Sequence, residues 1–119
     1  MTKIYIAEAL VEDAELHYVD DNDPVETKSF LGAHDSPEKA MAFLYQVANA
    51  ERQAENDLID ECETGEAHMP ELALAFSSVR ADHGAGVRRT TWTSDAVEFA
   101  NRGMVVRYRV TESRLNPVL

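Results

Sequence analysis

The chain has 119 residues, 45% of them hydrophobic, with 22 Asp and Glu against 11 Lys and Arg, for a formal charge of -11 at pH 7. That length predicts a single domain, residues 1–119, able to bury its own core; that charge excludes unaided binding to nucleic acid or an anionic membrane, both of which would repel it. One cysteine, Cys62, excludes an internal disulfide and any multi-cysteine zinc site, and no run approaches the roughly eighteen apolar residues of a membrane helix, so the cytoplasm is the expected compartment.

The N-terminus MTKIYIAEALVED has one lysine, then alternating apolar residues, then acid, unlike a signal peptide. Within it, residues 3–11 (KIYIAEALV) carry β-branched, aromatic and aliphatic side chains and no turn former, which predicts a first strand. ELHYV (15–19) alternates and suits a second short strand. DDNDP (20–24) is a turn, because Asp and Asn bond their own backbone and Pro fixes φ. VETKSFL (25–31) reads as a returning strand. HDSPEKA then opens a helix over 36–62, with Asp35 or Ser36 as N-cap, Pro37 in the first turn, and Glu38 three residues after Asp35 as in a capping box. Its apolar stripe is rich at first and thin between 49 and 57, which predicts a buried first half and a solvated second half.

Gly65 is the expected breaker. MPELALAFSSVRADHG reads as a second helix, from Pro70 to just before Gly84, with Leu72, Ala75, Phe76 and Val79 on one face. A strand over 72–79 is the alternative, since Leu72, Leu74 and Phe76 also alternate. VRRTTWT (87–93) favours a strand. SDAVEFANRG caps at Ser94 or Asp95 and stops at Gly103, which predicts a short helix. MVVRYRVTE (104–112) is the clearest strand, with Met104, Val106, Tyr108 and Val110 on one face and Val105, Arg107 and Arg109 on the other. The order β-β-β-α-α-β-α-β predicts an α+β domain: an antiparallel sheet of four to five strands with two main helices on one face.

Few residues suggest chemistry. Ser36 and Lys39 have the spacing of a serine nucleophile and its lysine, but a serine before Pro37 at a helix start is a cap. DDNDPVE fails the calcium-loop pattern, because Pro24 and Val25 occupy its fifth and sixth places. Cys62, Glu63, Glu66 and His68 lack zinc-ligand spacing and read as a buried helix-end cysteine with a surface histidine. His17, His34 and His83 are dispersed. HGAGVRR (83–89) precedes a strand rather than a helix, so a turn is preferred to a phosphate cradle. Trp92 is expected in the core, or, if exposed beside Arg88 and Arg89, as an interface anchor. No catalytic residue, metal or cofactor is expected.

The acidic stretch ERQAENDLIDECETGE (51–66) holds seven carboxylates and one base, Arg52. Residues 1–71 carry 18 acids and 4 bases; residues 72–119 carry 4 and 7. Glu51 and Glu55 stack at i,i+4, as do Asp57 and Glu61, and such like-charge pairs cost a few tenths of a kcal/mol each. Asp60, Glu61 and Glu63 fall at the helix C-terminus, where the macrodipole disfavours anions. A basic partner would offset these penalties; so would Arg88, Arg89, Arg107 and Arg109 folding back from the other half, and a merely solvated face is the third reading.

KIYIAEA, a turn, a second strand and then FLGAHDSPEKAMAFL together resemble small acidic phage and prophage proteins of anti-CRISPR-like type, over roughly the first 45 residues. The resemblance implies an inhibitor of a host defence protein, imitating nucleic-acid charge in the host cytoplasm, and brings no catalytic residues. With the charge pattern it predicts a non-enzymatic binding protein docking on a basic protein surface, such as the groove of a nucleic-acid-binding complex. The expected binding residues are Glu51, Glu55, Asp57, Asp60, Glu61 and Glu63, with Glu12, Asp13, Asp20, Asp21 and Asp23 as a second patch. The alternatives are a self-associating structural or adaptor subunit with charge-complementary halves and, last, a small enzyme marked by a pocket uniting a histidine with Cys62 or a carboxylate of shifted pKa.

Overall fold

The computed structural model describes residues 2–13, 26–63, 65–82 and 88–115. In chain order these form β1 (Thr2–Asp13), β2 (Glu26–His34), α1 (Pro37–Cys62), β3 (Phe76–Asp82), β4 (Arg88–Ser94), β5 (Val97–Phe99), a 3-10 turn (Ala100–Arg102) and β6 (Met104–Leu115). One antiparallel sheet runs β2-β1-β6-β4-β3, with β5 also paired to β6. The expected pair of main helices over four to five strands is therefore corrected to six strands and, among the described residues, a single α-helix. The strand and turn expected at 15–24 and the glycine loop at 83–87 lie outside the described residues.

The alternation of β6 sets the layers. Its partner β1 is in a register that places Ala7 beside Val110, Ala9 beside Tyr108 and Val11 beside Val106 on one face. That face carries the core: Ala7, Ala9, Val106, Tyr108 and Val110 are buried against Ala40, Leu44 and Ala48 of α1. Alanines in both layers let the helix seat closely on the strands, and Leu44 and Phe99, both fully buried, each contribute roughly 1.5–3 kcal/mol. The opposite face carries Arg107 and Arg109, as the alternation predicts. Trp92 lies half-buried on the core face of β4, edge-on to Tyr5 with ring centroids 5.9 Å apart.

The helix starts where its caps dictate. Ser36 is extended, at φ -146, and its Oγ accepts the Lys39 N–H at 3.2 Å. Asp35, the other candidate cap, instead pairs with the exposed Lys39 ammonium at 3.0 Å. The lysine is thus turned away from the serine, and the S-x-x-K spacing is capping.

The segment expected as a second helix is extended. Residues 71–76 alternate in exposure, with Leu72, Leu74 and Phe76 turned inward, and β3 continues from Phe76 along β4. Two helix asparagines hold this strap. Asn49 accepts the Leu72 N–H at 2.8 Å and donates to the Leu72 carbonyl at 3.1 Å. Asn56 does the same for Met69, at 2.7 and 3.1 Å. Seven helical residues rise about 10.5 Å and three extended ones about 10 Å, so the two amides meet backbone groups three residues apart. The helix propensity of ELALA yields to four hydrogen bonds that only an extended chain can accept.

The short helix expected over 94–103 is also corrected. Thr93 pairs with Arg109 and Val97 with Val106, so residues 94–96 face only 107 and 108: a β-bulge between β4 and β5. Ser94, buried and expected as a helix cap, patches the broken ladder instead, its Oγ accepting the Tyr108 N–H at 2.9 Å. Gly103 does end the turn, at φ 62, a conformation that suits glycine. No helix among the described residues is long and apolar enough to cross a membrane.

Candidate functional site

The second half of α1 is not simply solvated: Glu55, Asn56 and Ile59 are buried. The 3-10 turn covers one flank and brings Arg102 onto the helix. Its Nε donates to Glu55 Oε1 at 3.1 Å, its Nη1 to Glu51 Oε2 at 2.6 Å and its Nη2 to the Glu51 carbonyl at 2.9 Å. The guanidinium also lies 4.9 Å from the Phe99 ring centroid, a cation–π contact. Asn101 completes the clasp, donating its backbone N–H to Glu55 Oε2 at 2.8 Å and its side-chain amide at 3.0 Å.

Burial pushes the Glu55 carboxyl toward the protonated form, but the Asn101 and Arg102 donors outweigh it and hold the pKa below the usual glutamate value. The same balance, burial opposed by Glu51 and Glu55, keeps Arg102 above its ordinary value. Glu55 is 1% exposed, so an outward role is corrected to an inward one. Glu51, half-buried, is tied to the same arginine.

The other expected helix residues point outward. Asp57 is exposed and, among the described residues, accepts from Gln53 alone, at 2.9 Å. Asp60 pairs with the exposed His68 at 2.6 Å. Glu61 and Glu63 are exposed and pair with no described side chain. Glu63 is the C-cap in the left-handed region at φ 50, ahead of the glycine expected to break the helix, and the last turn contains no base. Cys62 is exposed here, not buried as expected. No three His, Cys, Asp or Glu side chains among the described residues are grouped to hold a metal.

Of the arginines that offered internal neutralisation as an alternative, Arg89, Arg107 and Arg109 stay elsewhere. Arg109 pairs with Glu8 across β6 and β1 at 2.7 Å, on the face away from α1. Arg107 is exposed on that face and Arg89 is half-buried on β4. The side chain of Arg88 lies outside the described residues. In the second expected patch, Glu12 is half-buried and engaged, whereas Asp20, Asp21, Asp23 and the side chain of Asp13 lie outside the described residues. The neutralising residue, Arg102, was missed by the sequence reading; its signal is the i,i+4 phase of Glu51 and Glu55, which turns both toward the buried side.

Between α1 and the sheet lies a cavity of about 300 Å³, partly open to solvent beside exposed Ser29. Buried Ala9, Val106 and Tyr108 form its floor, and half-buried Val11, Leu31, Val47 and Met104 its walls. Glu51 and Arg102 close one side. Among the described residues the buried Tyr108 hydroxyl has no hydrogen-bond partner. Burial, then the Glu51 charge, pushes its pKa up to about 12, so it stays a neutral donor.

No family model, curated protein or solved structure matches this chain. The fold and its site thus define only a class: among the described residues, a six-stranded antiparallel sheet under one helix, with that helix neutralised on one flank and anionic at its end.

Proposed function

We propose that the protein is a non-enzymatic binding module that presents the C-terminal end of α1 to a basic protein surface. The observation that carries this reading is the exposed set Asp57, Glu61 and Glu63, without a cationic partner among the described residues, on a helix whose last turn contains no base. The C-terminal end of a helix is where carboxylates are least favoured, and a cationic partner would turn that cost into binding energy. A groove that otherwise holds nucleic acid fits the chemistry, because each carboxylate can stand where a phosphate would; inhibition of such a protein follows from occupancy. Charge steering would make association fast and salt-sensitive.

The test retains host proteins on the immobilised chain, identifies them by mass spectrometry, and repeats the capture with Asp57→Asn, Glu61→Gln and Glu63→Gln combined. Basic proteins released by the triple variant, and by competing nucleic acid, are the expected result. Retention of the same proteins by the neutralised variant overturns the proposal.

A second reading, self-association, is favoured by the two sheet edges. Among the described residues β2 and β3 each pair on one side only, and each displays a large apolar side chain, Phe30 at 69% and Val79 at 63% exposure. Such edges are templates for pairing. Concentration-dependent sedimentation abolished by Phe30→Glu would support it; a monomer at all concentrations would remove it.

A further inference from the structure

We infer that the cavity between α1 and the sheet binds a small neutral molecule with an apolar body and a carbonyl head group, which accepts a hydrogen bond from the Tyr108 hydroxyl. Beside the core a recess of about 300 Å³ opens partly to solvent, lined by exposed Ser29 as well as by buried Ala9, Val106 and Tyr108. The opening has a structural cause. Tyr108 projects from β6 next to Ala9 of β1, and that alanine leaves unfilled the space a larger residue would occupy.

The walls offer apolar contact, and behind them lies one donor without a partner among the described residues, covered in the unliganded chain and reached when the side chains over it give way. Tyr108 is 1% exposed, and its hydroxyl is among the few buried polar atoms with no partner. Such groups are costly to leave unmet. The neighbouring ion pair does not meet it: Arg102 commits Nε, Nη1 and Nη2 to Glu55 and Glu51, and no bond from either reaches the phenol. An oxygen acceptor carried in by a ligand would.

Charge and size narrow the ligand class. Glu51, Glu55 and Arg102 sum to one negative charge beside the cavity, which disfavours an anionic head such as a fatty carboxylate. A neutral carbonyl accepts the O–H bond without that penalty. At about 30 Å³ per water-sized group, the space holds on the order of ten non-hydrogen atoms, the size of a medium-chain ketone.

The probe is 2-nonanone, titrated into the full chain and followed by calorimetry and by backbone amide shifts, with nonanoate as its anionic counterpart. We expect saturable binding with shifts centred on Ala9, Val106 and Tyr108, and nonanoate weaker by tenfold or more. Tyr108→Phe keeps the packing and removes only the donor, and should weaken 2-nonanone about three- to tenfold. Val47→Trp should fill the space and abolish binding. Absence of saturable 2-nonanone binding to the wild-type chain overturns the inference. So does equal affinity in Tyr108→Phe, which would leave the hydroxyl served by water alone, and so does equal binding of nonanoate.

Discussion

Glu51 and Glu55 lie within one helix with Asp57 and Glu61, and both pairs have the same i,i+4 spacing, yet they meet opposite fates. The first pair is held by one guanidinium, with Glu55 buried and its charge kept by three donor groups. The second pair stands in solvent. Two residues along a helix are about 200° around it, so the step from 55 to 57 crosses from the core flank to the outer one. A run of acids in a sequence is therefore not a patch on a surface; helical phase divides it into charges that hold the fold and charges available to something else.

That division can be broken from the inward side first. Arg102→Ala leaves Glu55 buried without its cation and should cost about 3–5 kcal/mol, lowering Tm by roughly 10–20 °C in calorimetry. A loss below about 1 kcal/mol would mean that the clasp contributes little. Asn56→Ala removes both bonds to Met69 and should cost about 2 kcal/mol; hydrogen exchange should show faster exchange of the Met69 and Leu72 amides while β1 and β6 keep their protection.

Acid sharpens the comparison. The folded pKa of Glu55 lies below its ordinary value of 4.5, so its contribution is complete above that value and is lost as pH falls through the lower folded pKa. Denaturation midpoints should drop below about pH 5, and the drop should be shallower in Glu55→Gln; identical slopes would place the acid sensitivity elsewhere. The smallest effect belongs to the outward side. Asp57→Asn, Glu61→Gln and Glu63→Gln together should raise stability by a few tenths of a kcal/mol per relieved repulsion, in low salt only. A loss of stability would show that these carboxylates have internal partners.

Much of the architecture was legible because local and tertiary signals agree. Ser36 and Pro37 fix the start of α1, and the strict alternation from Met104 to Val110 fixes the faces of β6. Where they disagree, the sequence misleads. ELALAF satisfies both a two-residue and a helical period once alanine counts as apolar, and what decides it is Asn49 and Asn56, more than a dozen positions upstream. Ser94 looks like a cap because a hydroxyl before an acid is one at most helix starts; that its partner is the Tyr108 amide on the next strand is not local information. The site divides similarly. The exposure of Asp57 and Glu61 follows from phase, but Arg102 reaches Glu55 through a turn that the predicted short helix conceals. The cavity and the unmet phenol depend on what does not touch, which no spacing records.

The bulge between β4 and β5 also fixes a parity in the chain. Trp92 packs on the core side at an even position, whereas Val97 and Phe99 pack on that same side at odd ones. Only an extra residue between them permits both. Deleting one residue at 95 or 96 would remove the bulge and bring 92–99 into plain alternation against β6, with Val97 and Phe99 still on the core side and a backbone carbonyl in place of the Ser94 hydroxyl at the Tyr108 amide. The extra residue is thus tolerated by the core pattern rather than required by it; what depends on it is the Ser94 hydroxyl, which serves the Tyr108 amide where the ladder breaks.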